Sequence, residues 1–332
     1  MAPNLGGSQP RILFLYPIEA SFIDADLELL KSLGIVTAVR FGPGDSFLGL
    51  LRSVARADLV YAWFALEHAA VSAPVARLLG RKSIVVAGGW DVVGFPEIGY
   101  GRLLTARGRF ISRTALLWAD RVLAFSEWSA RAIRRVASRS RVQVVYPGID
   151  VSRFRVREKE RLVVTVAHVS RENLKRKGLE AFVRTARLAP ESRFVLVGRH
   201  WDDAIEILRG IASDNVSLPG WLSDEDLRAL LSRASVYVQC SYTEGFGVAL
   251  AEAMASGCVP VVTRDTAMEE VVGDTGFYVP YGDTEGLTHA IRDGLSSDLG
   301  REARNRVERR FSLHARQEKL REAVHGLLGN SA

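Results

Sequence analysis

The sequence predicts an α/β protein made of two doubly wound parallel-sheet domains in tandem, and three observations carry that reading. Short apolar runs alternate with amphipathic, helix-length segments from end to end, the rhythm of parallel strands joined by crossover helices. The runs are near-continuous rather than alternating, as strands covered on both faces should be. The rhythm pauses once, near the middle, and then begins again.

In the first half the apolar runs are residues 12–16, 36–41, 59–63, 83–87, 121–125 and 142–146, enough for one Rossmann-like sheet. Tyr146-Pro147-Gly148-Ile149-Asp150 and the charged stretch 153–161 interrupt the pattern, and residues 162–166 restart it. The second set continues with 194–197, 216–218, 236–239, 259–263 and 276–279, again separated by helix-length segments. An N-terminal domain over 1–152 and a C-terminal domain over 153–311 are therefore expected. The last helix, about 312–328, has no strand after it and is expected to pack back on the first domain.

At 332 residues the chain exceeds the roughly 100–200 residues of one domain. Hydrophobic residues make up 48% and charged residues 25%, which excludes disordered and fibrous classes. Cys240 and Cys258 have neither CxxC spacing nor a histidine cluster, so no disulfide framework or zinc site is expected and a reducing cytoplasm fits. No apolar run approaches the roughly 18 residues of a membrane span, and residues 1–10 form a polar tail without a signal-peptide core. The formal net charge of +6 suits an anionic partner: nucleic acid, a membrane surface or a phosphorylated substrate. Aromatics that would stack bases are scarce around the arginine-rich segments, so nucleic acid is not expected.

Open parallel sheets bind ligands beyond the carboxyl ends of their strands. The most informative such segment is TEGFGVALAEAMASG, from Thr243 to Gly257, after the run ending at Gln239. Gly245 and Gly247 let a ligand approach the backbone, and a helix opening near Gly247 turns free N–H groups and its positive dipole end toward an anion. Glu252 lies a little over one turn in, among Ala249, Leu250, Ala251, Ala253 and Met254, where a carboxylate is costly unless partnered. It could accept two hydrogen bonds from a ribose diol whose diphosphate lies over the helix N-terminus, with Glu244 nearer the sugar. Alternatively Glu252 rims a solvated face and Glu244 is loop decoration.

With Glu244 and Glu252 spaced as Glu-x7-Glu in "SYTEGFGVALAEAMASGCVPVV", and with "LKRKGLEAFVRTA" from Leu174, "FVLVGR" from Phe194 and "LPGWLSDEDLRALLSRASVYV" from Leu218, the chain resembles the retaining nucleotide-sugar glycosyltransferases of family 4. These have the GT-B fold, two Rossmann-like domains facing across a cleft. The likeness covers most of 163–279, and the first half matches mainly in architecture. It implies that Glu252 holds the donor ribose, that Glu244 contacts the donor sugar, and that amides around Gly245, Phe246 and Gly247 bind the phosphates. It further implies that Lys177 neutralises the leaving diphosphate and that the backbone near Trp221 and Leu222 meets the nucleobase, with loop packing the alternative for Trp221. A departing diphosphate gains charge in the transition state, so a fixed cation stabilises that state more than the ground state. Lys175, Arg176 and Lys177 read as the start of a helix, where cations sit badly against the positive dipole end; that misfit favours an anionic ligand. Ala167-His168 stands where relatives carry a Gly-Arg that supplies a second cation, and Arg171 is the nearest substitute, or else makes a surface salt bridge.

The family's glycine pair after the first strand and histidine after the fourth are absent, and Gly88 falls at the histidine's place. Asp91, following Gly88-Gly89, is the candidate for orienting the acceptor hydroxyl or meeting the transferred sugar. A turn-stabilising role is the alternative. Arg102, Arg109 and Arg113 share one face of a predicted helix whose other side carries Leu103, Phe110, Leu117 and Trp118. That arginine face would meet anionic headgroups or a phosphorylated lipid acceptor, or else be merely solvated. Asp24/Asp26 and Asp224/Asp226 match the Asp-x-Asp of metal-dependent enzymes, but each pair follows a serine in a capping-box position. Neither a metal nor a cofactor beyond the nucleotide sugar itself is expected.

The reading is thus a cytoplasmic, metal-independent, retaining glycosyltransferase, a hexosyl or related enzyme. It would bind a nucleotide sugar in the second domain and a glycan, lipid-linked or small-molecule acceptor in the first, with peripheral contact to an anionic membrane face. A GT-B-fold nucleotide-sugar epimerase and a non-catalytic basic binding protein are the alternatives. An NAD-dependent oxidoreductase would need G-x-G-x-x-G after the first strand, and residues 16–21 contain no glycine.

Overall fold

The computed structural model describes residues 9–42 and 44–329; most of the expected polar tail, residues 1–8, lies outside them. β1 (Arg11–Tyr16), β2 (Ile35–Arg40), β3 (Leu59–Trp63), β4 (Lys82–Ala87), β5 (Arg121–Ala124) and β6 (Val142–Val144) form one sheet in the order β2-β1-β3-β4-β5-β6. β7 (Glu160–Val166), β8 (Arg193–Val197), β9 (Val216–Gly220), β10 (Ala234–Gln239), β11 (Val259–Thr263) and β12 (Phe277–Val279) form the other, ordered β12-β11-β10-β7-β8-β9. Every pairing between these strands is parallel. Each apolar run of the sequence has its strand. Central β3 is buried at every position, whereas edge strand β2 leaves Ile35 exposed, which is the burial difference that position in a sheet imposes.

The helices of the first half are α1 (Ser21–Lys31), α2 (Phe47–Arg56), α3 (Glu67–Leu78), α4 (Ala106–Trp118) and α5 (Glu127–Val136). The second half has α6 (Arg171–Arg176), α7 (Leu179–Thr185), α8 (Ala204–Ile211), α9 (Asp224–Arg233), α10 (Val248–Ala255), α11 (Met268–Val272), α12 (Thr284–Leu295), α13 (Gly300–Arg310) and α14 (Leu313–Leu328). The chain forms two compact units: residues through 96, 100–146 and those from 316 on make the first, and 97–99 with 147–315 make the second.

Arg316 of α14 ties that helix to the first unit. Its guanidinium forks onto both carboxylate oxygens of Asp26 on α1, with one bond at 2.6 Å, and donates to the carbonyls of Val145 and Tyr146 at 3.0 and 2.7 Å. The Tyr61 hydroxyl donates to the same carboxylate. Asp26 is fully buried, so it is an ion-pair partner rather than the first-turn cap expected after Ser21; Ser21 itself lies inside α1, behind Ala20. The second aspartate pair does follow a cap, since the Ser223 hydroxyl accepts from the Asp226 amide at 3.1 Å.

The arginine face of α4 is not as predicted. Arg102 lies in a separate 3-10 turn, Arg102–Leu104, and pairs with Glu67 at 2.6 Å, while Arg109 donates to the Leu103 carbonyl at 2.8 Å. The buried residues of α4, which packs against α3, are Gly108, Ser112, Ala115 and Leu116, and Phe110 and Trp118 are exposed. Small residues allow two helix backbones to approach closely, so the larger side chains are turned outward.

Candidate active site

The second sheet reverses direction beside β7: β8 and β9 follow on one side, β10, β11 and β12 on the other. The loops leaving β7 and β10 lie at that point, where an open parallel sheet offers a crevice to a ligand. The β7 loop leads through α6 to Lys177, and the β10 loop carries Glu244 into α10.

These two loops meet. The Lys177 ammonium donates to Glu244 Oε1, which also accepts from Gln239 Nε2 at 2.9 Å and from the Ser241 hydroxyl at 2.8 Å. Oε1 thus takes three donors, while no hydrogen bond among the described residues reaches Oε2. The side chains are only 18% and 13% exposed, so solvent screens the pair far less than a surface ion pair. Burial pushes the Glu244 carboxyl up, but the charges of Lys177 and Arg176 and the hydrogen bonds from Lys177 and Ser241 hold it below its ordinary range. Glu244 is therefore ionised at neutral pH and holds Lys177 in place.

The backbone holds the two loops in register. The Tyr242 amide donates to the Arg176 carbonyl at 2.8 Å. Gly178, at φ 63°, passes so close to the β10 loop that a Cβ would stand 2.4 Å from the Cys240 carbonyl oxygen. Lys175 and Arg176 occupy the last turn of α6 and Lys177 caps its C-terminus, rather than opening a helix. Cations are favoured at that end, so the misfit expected from the sequence disappears, and Lys177 is explained instead by Glu244.

α10 opens at Gly247, φ 96°, with no side-chain cap. Phe246 packs inward on Phe311, ring centroids 5.3 Å apart. Glu252 lies on the partly exposed side of α10, and no hydrogen bond or ion pair among the described residues reaches its carboxylate. The protein partner expected from the sequence is absent there, because Arg153 and Arg228 pair with Asp224 instead. Burial, and then Asp224, push the Glu252 carboxyl up to about 7, against the pull of the two arginines.

Trp221 is exposed, with the Arg199 guanidinium 5.5 Å from its ring centroid, and Leu222 beside it is partly exposed. His168 stacks on Trp201 at 4.6 Å and accepts from the Arg199 amide through Nδ1 at 3.3 Å. Burial and the charges of Arg199 and Lys177 keep that imidazole below its usual pKa.

Two candidate residues are placed where their expected role fails. Asp91 is fully buried: Oδ2 accepts from the Ala65 amide at 2.9 Å, and Oδ1 from Gly88 and Gly89 at 3.1 and 2.9 Å. Both oxygens are committed to the backbone, so it organises the turn after β4 and does not meet an acceptor. Arg171 pairs in the open with Asp203, its side chain 62% exposed, which takes the head group away from the second-cation role. Sequence reasoning overlooked Gln239 and Ser241. Their signal was a polar side chain ending the buried strand β10 and a second one two residues beyond it.

Comparison with known proteins gives the same family in both halves. The family described as "Glycosyltransferase Family 4" matches residues 33–153, and "Glycosyl transferases group 1" matches residues 160–297. The chain is similar to the GDP-mannose:cellobiosyl-diphosphopolyprenol alpha-mannosyltransferase of Xanthomonas campestris, 28% identical over 70% of this chain and 62% of that protein. An O-antigen chain mannosyltransferase B of Escherichia coli is 32% identical over 38% of this chain and 36% of its own. The matched region thus spans about three fifths of the Xanthomonas relative and about a third of the other. Among solved structures, Anabaena HepE in complex with UDP and glucose superposes with a TM-score of 0.78 at 17% identity, over 96% of this chain and 100% of that one. Sucrose-phosphate synthase of Thermosynechococcus elongatus gives 0.77 at 19%, over 97% and 100%. With both sheets arranged as in these neighbours and both halves matched, the chain belongs to the family 4, group 1 glycosyltransferases of the GT-B fold.

Proposed function

We propose that this protein transfers a hexose from a nucleoside-diphosphate sugar to a hydroxyl acceptor, with retention of configuration and without a metal ion. The observation that carries the reading is the Lys177–Glu244 pair, held by Gln239 and Ser241 at the reversal of the second sheet beside the uncapped start of α10. Lys177 keeps N–H groups beyond the one given to Glu244, and these meet the leaving diphosphate together with the first amides of α10. Stabilisation grows as charge moves onto the diphosphate, which lowers the barrier rather than only the binding energy. Glu244 Oε2 faces a donor-sugar hydroxyl, and the unpartnered Glu252 accepts from the ribose diol. Arg199, whose guanidinium lies 5.5 Å from the Trp221 ring centroid and whose amide donates to His168 Nδ1, replaces Arg171 as the second cation of this rim.

The names of the relatives make GDP-mannose the first donor to test, and the Anabaena complex makes UDP-glucose the second. Thermal stabilisation and slow hydrolysis across a panel of nucleotide sugars check the reading, because a ligand bound only by the folded state raises its melting temperature. A panel that neither stabilises the protein nor turns over sinks it. An epimerised sugar formed without any acceptor would make it an epimerase, and the anomeric configuration of the transfer product tests retention.

Contact with an anionic membrane is a second proposal, carried by Phe110 and Trp118, exposed on α4 beside Arg109 and Arg113. No helix among the described residues is long and apolar enough to cross a membrane. Cosedimentation with anionic vesicles that survives unchanged in a Phe110→Ser/Trp118→Ser variant removes this role.

A further inference from the structure

β10 buries two side chains with polar ends, Tyr237 and Gln239, two residues apart and so on one face of the strand. Tyr237 is fully buried and Gln239 is 6% exposed. An amide has a donor end and an acceptor end, and only one of them suits Glu244. The ionised carboxylate can only accept, so Gln239 must offer it Nε2, as it does at 2.9 Å. Its Oε1 is then turned back toward the strand, where the Tyr237 hydroxyl donates to it at 3.4 Å. The phenol keeps its proton, because burial and the charges of Glu244 and Glu252 push its pKa up. A backbone hydrogen bond from Val166 reaches the same hydroxyl, which leaves the phenol to donate toward Gln239. The Gln239 amide also stands beside the start of α10: a Cβ on Gly247 would lie 3.7 Å from Nε2.

We propose that Tyr237 and Gln239 are positioning residues for transfer: Tyr237 sets the orientation of the Gln239 amide, and the amide sets which oxygen of Glu244 is offered to the donor sugar. With Nε2 beside Lys177 and Ser241 on Oε1, that oxygen is occupied by the fold and Oε2 is presented to the sugar. A flipped amide would set a carbonyl oxygen against the carboxylate, two acceptors with no proton between them, and the carboxylate would turn away. Around Glu244 and Tyr237 the charged groups are Lys177 and Arg176 at the end of α6 and Glu252 on α10; the nearby Cys258 thiol is kept neutral by burial. This rests on the glycosyltransferase reading and deepens it, since both residues act through Glu244.

The test compares Tyr237→Phe, Gln239→Met and Gln239→Glu with the parent protein. It reads kcat and KM for GDP-mannose, or UDP-glucose where that is the donor turned over, and calorimetric affinity for the matching nucleoside diphosphate. Gln239→Met removes a hydrogen bond to a charged group and lowers kcat about tenfold or more, with nucleoside-diphosphate affinity unchanged. Tyr237→Phe lowers kcat about threefold and adds nothing in the Gln239→Met background, because the two act in one chain of bonds. The carboxyl of Gln239→Glu donates only when protonated, so its kcat recovers toward the parent's as pH falls, which Gln239→Met does not show. The inference is overturned if both neutral variants keep parental kcat, if the two losses multiply in the double variant, or if Gln239→Glu shows no recovery. It is equally overturned if nucleoside-diphosphate affinity falls in step with kcat, which would make Gln239 a support of α10 alone. Carbon-13 NMR of the Glu244 carboxyl needs no turnover: its titration moves to higher pH in Gln239→Met and, by less, in Tyr237→Phe, because a lost donor disfavours the ionised form. A parent that turns over no donor counts against glycosyl transfer, and an unmoved carboxyl titration then overturns the relay by itself. Should Gln239→Met not fold, Tyr237→Phe, which keeps the buried ring, decides by the same two readouts.

Discussion

Lys177 and Glu244 lean on each other. The lysine keeps a partly buried carboxylate ionised, and the carboxylate, itself held by Gln239 and Ser241, fixes where the ammonium stands. Removing one member leaves the other desolvated and alone, a loss of about 3–5 kcal/mol for a buried pair and less here, where some solvent reaches both. Lys177→Met should therefore lower both melting temperature and kcat. The double variant Lys177→Met/Glu244→Gln should recover much of the stability and none of the rate, and recovered turnover would remove Lys177 from the chemistry. Glu252 predicts a different pattern. Its carboxyl titrates near 7, and the ionised form is the one that accepts from a ribose diol, so nucleoside-diphosphate affinity should fall as pH drops through about 7. Glu252→Gln should flatten that profile and weaken binding by roughly 1.5–3 kcal/mol. A carboxyl raised in the fold destabilises its ionised form, so stability is lost as pH rises from the unfolded value toward 7; at pH 8 the glutamine variant without ligand should melt higher than the parent. Calorimetry between pH 5.5 and 8.5, with melting curves beside it, checks each sign.

At the scale of elements, α4 shows how the packing of one helix is set by its smallest residues. The helix packs on α3 and buries Gly108, Ser112 and Ala115, and Phe110 and Trp118 are left outside. Phe110→Ser should change the melting temperature little, whereas Leu116→Ala, which empties a fully buried site, should cost about 2–5 kcal/mol. A helical-wheel reading assigns the largest apolar residues to the core, and it fails here because it has no account of how closely two backbones approach. The α6–α7 junction depends on backbone in another way. Gly178→Ala introduces a Cβ into the Cys240 carbonyl at a positive φ, and should both destabilise the chain and displace Lys177. A Gly178→Ala protein with parental kcat would separate the junction from the site.

For the whole molecule, the link between α14 and the first unit runs through Asp26, Arg316 and Tyr61, all buried and mutually bonded. Asp26→Ala strands the Arg316 guanidinium and should cost about 3–5 kcal/mol in a denaturant melt. An Asp26→Leu/Arg316→Met double variant should be far less damaged, since replacing both charges removes the desolvation each suffers. Transfer itself should withstand EDTA, because the proposed charge stabilisation comes from Lys177 and the α10 amides. Activity lost to chelation and restored by manganese or magnesium would overturn the metal-free proposal.

Apolar runs and their spacing were enough to locate each strand of both sheets, because a strand buried on both faces must be apolar along its length. Glu252 was legible for a related reason, since a charged residue in an apolar setting is visible in one dimension, whereas Lys177 and Glu244 were legible through the resemblance to family 4. What sequence could not decide was which polar groups face each other. Asp91, Arg171 and Asp26 each looked available to a ligand or a cap, and each is taken by a partner within the fold: backbone amides, Asp203 and Arg316 respectively. Gln239 and Ser241 became part of the site only when β10 was set beside β7. Periodicity follows from local burial and can be read along the chain, whereas pairing follows from long-range strand order, which brings together residues that the sequence keeps apart.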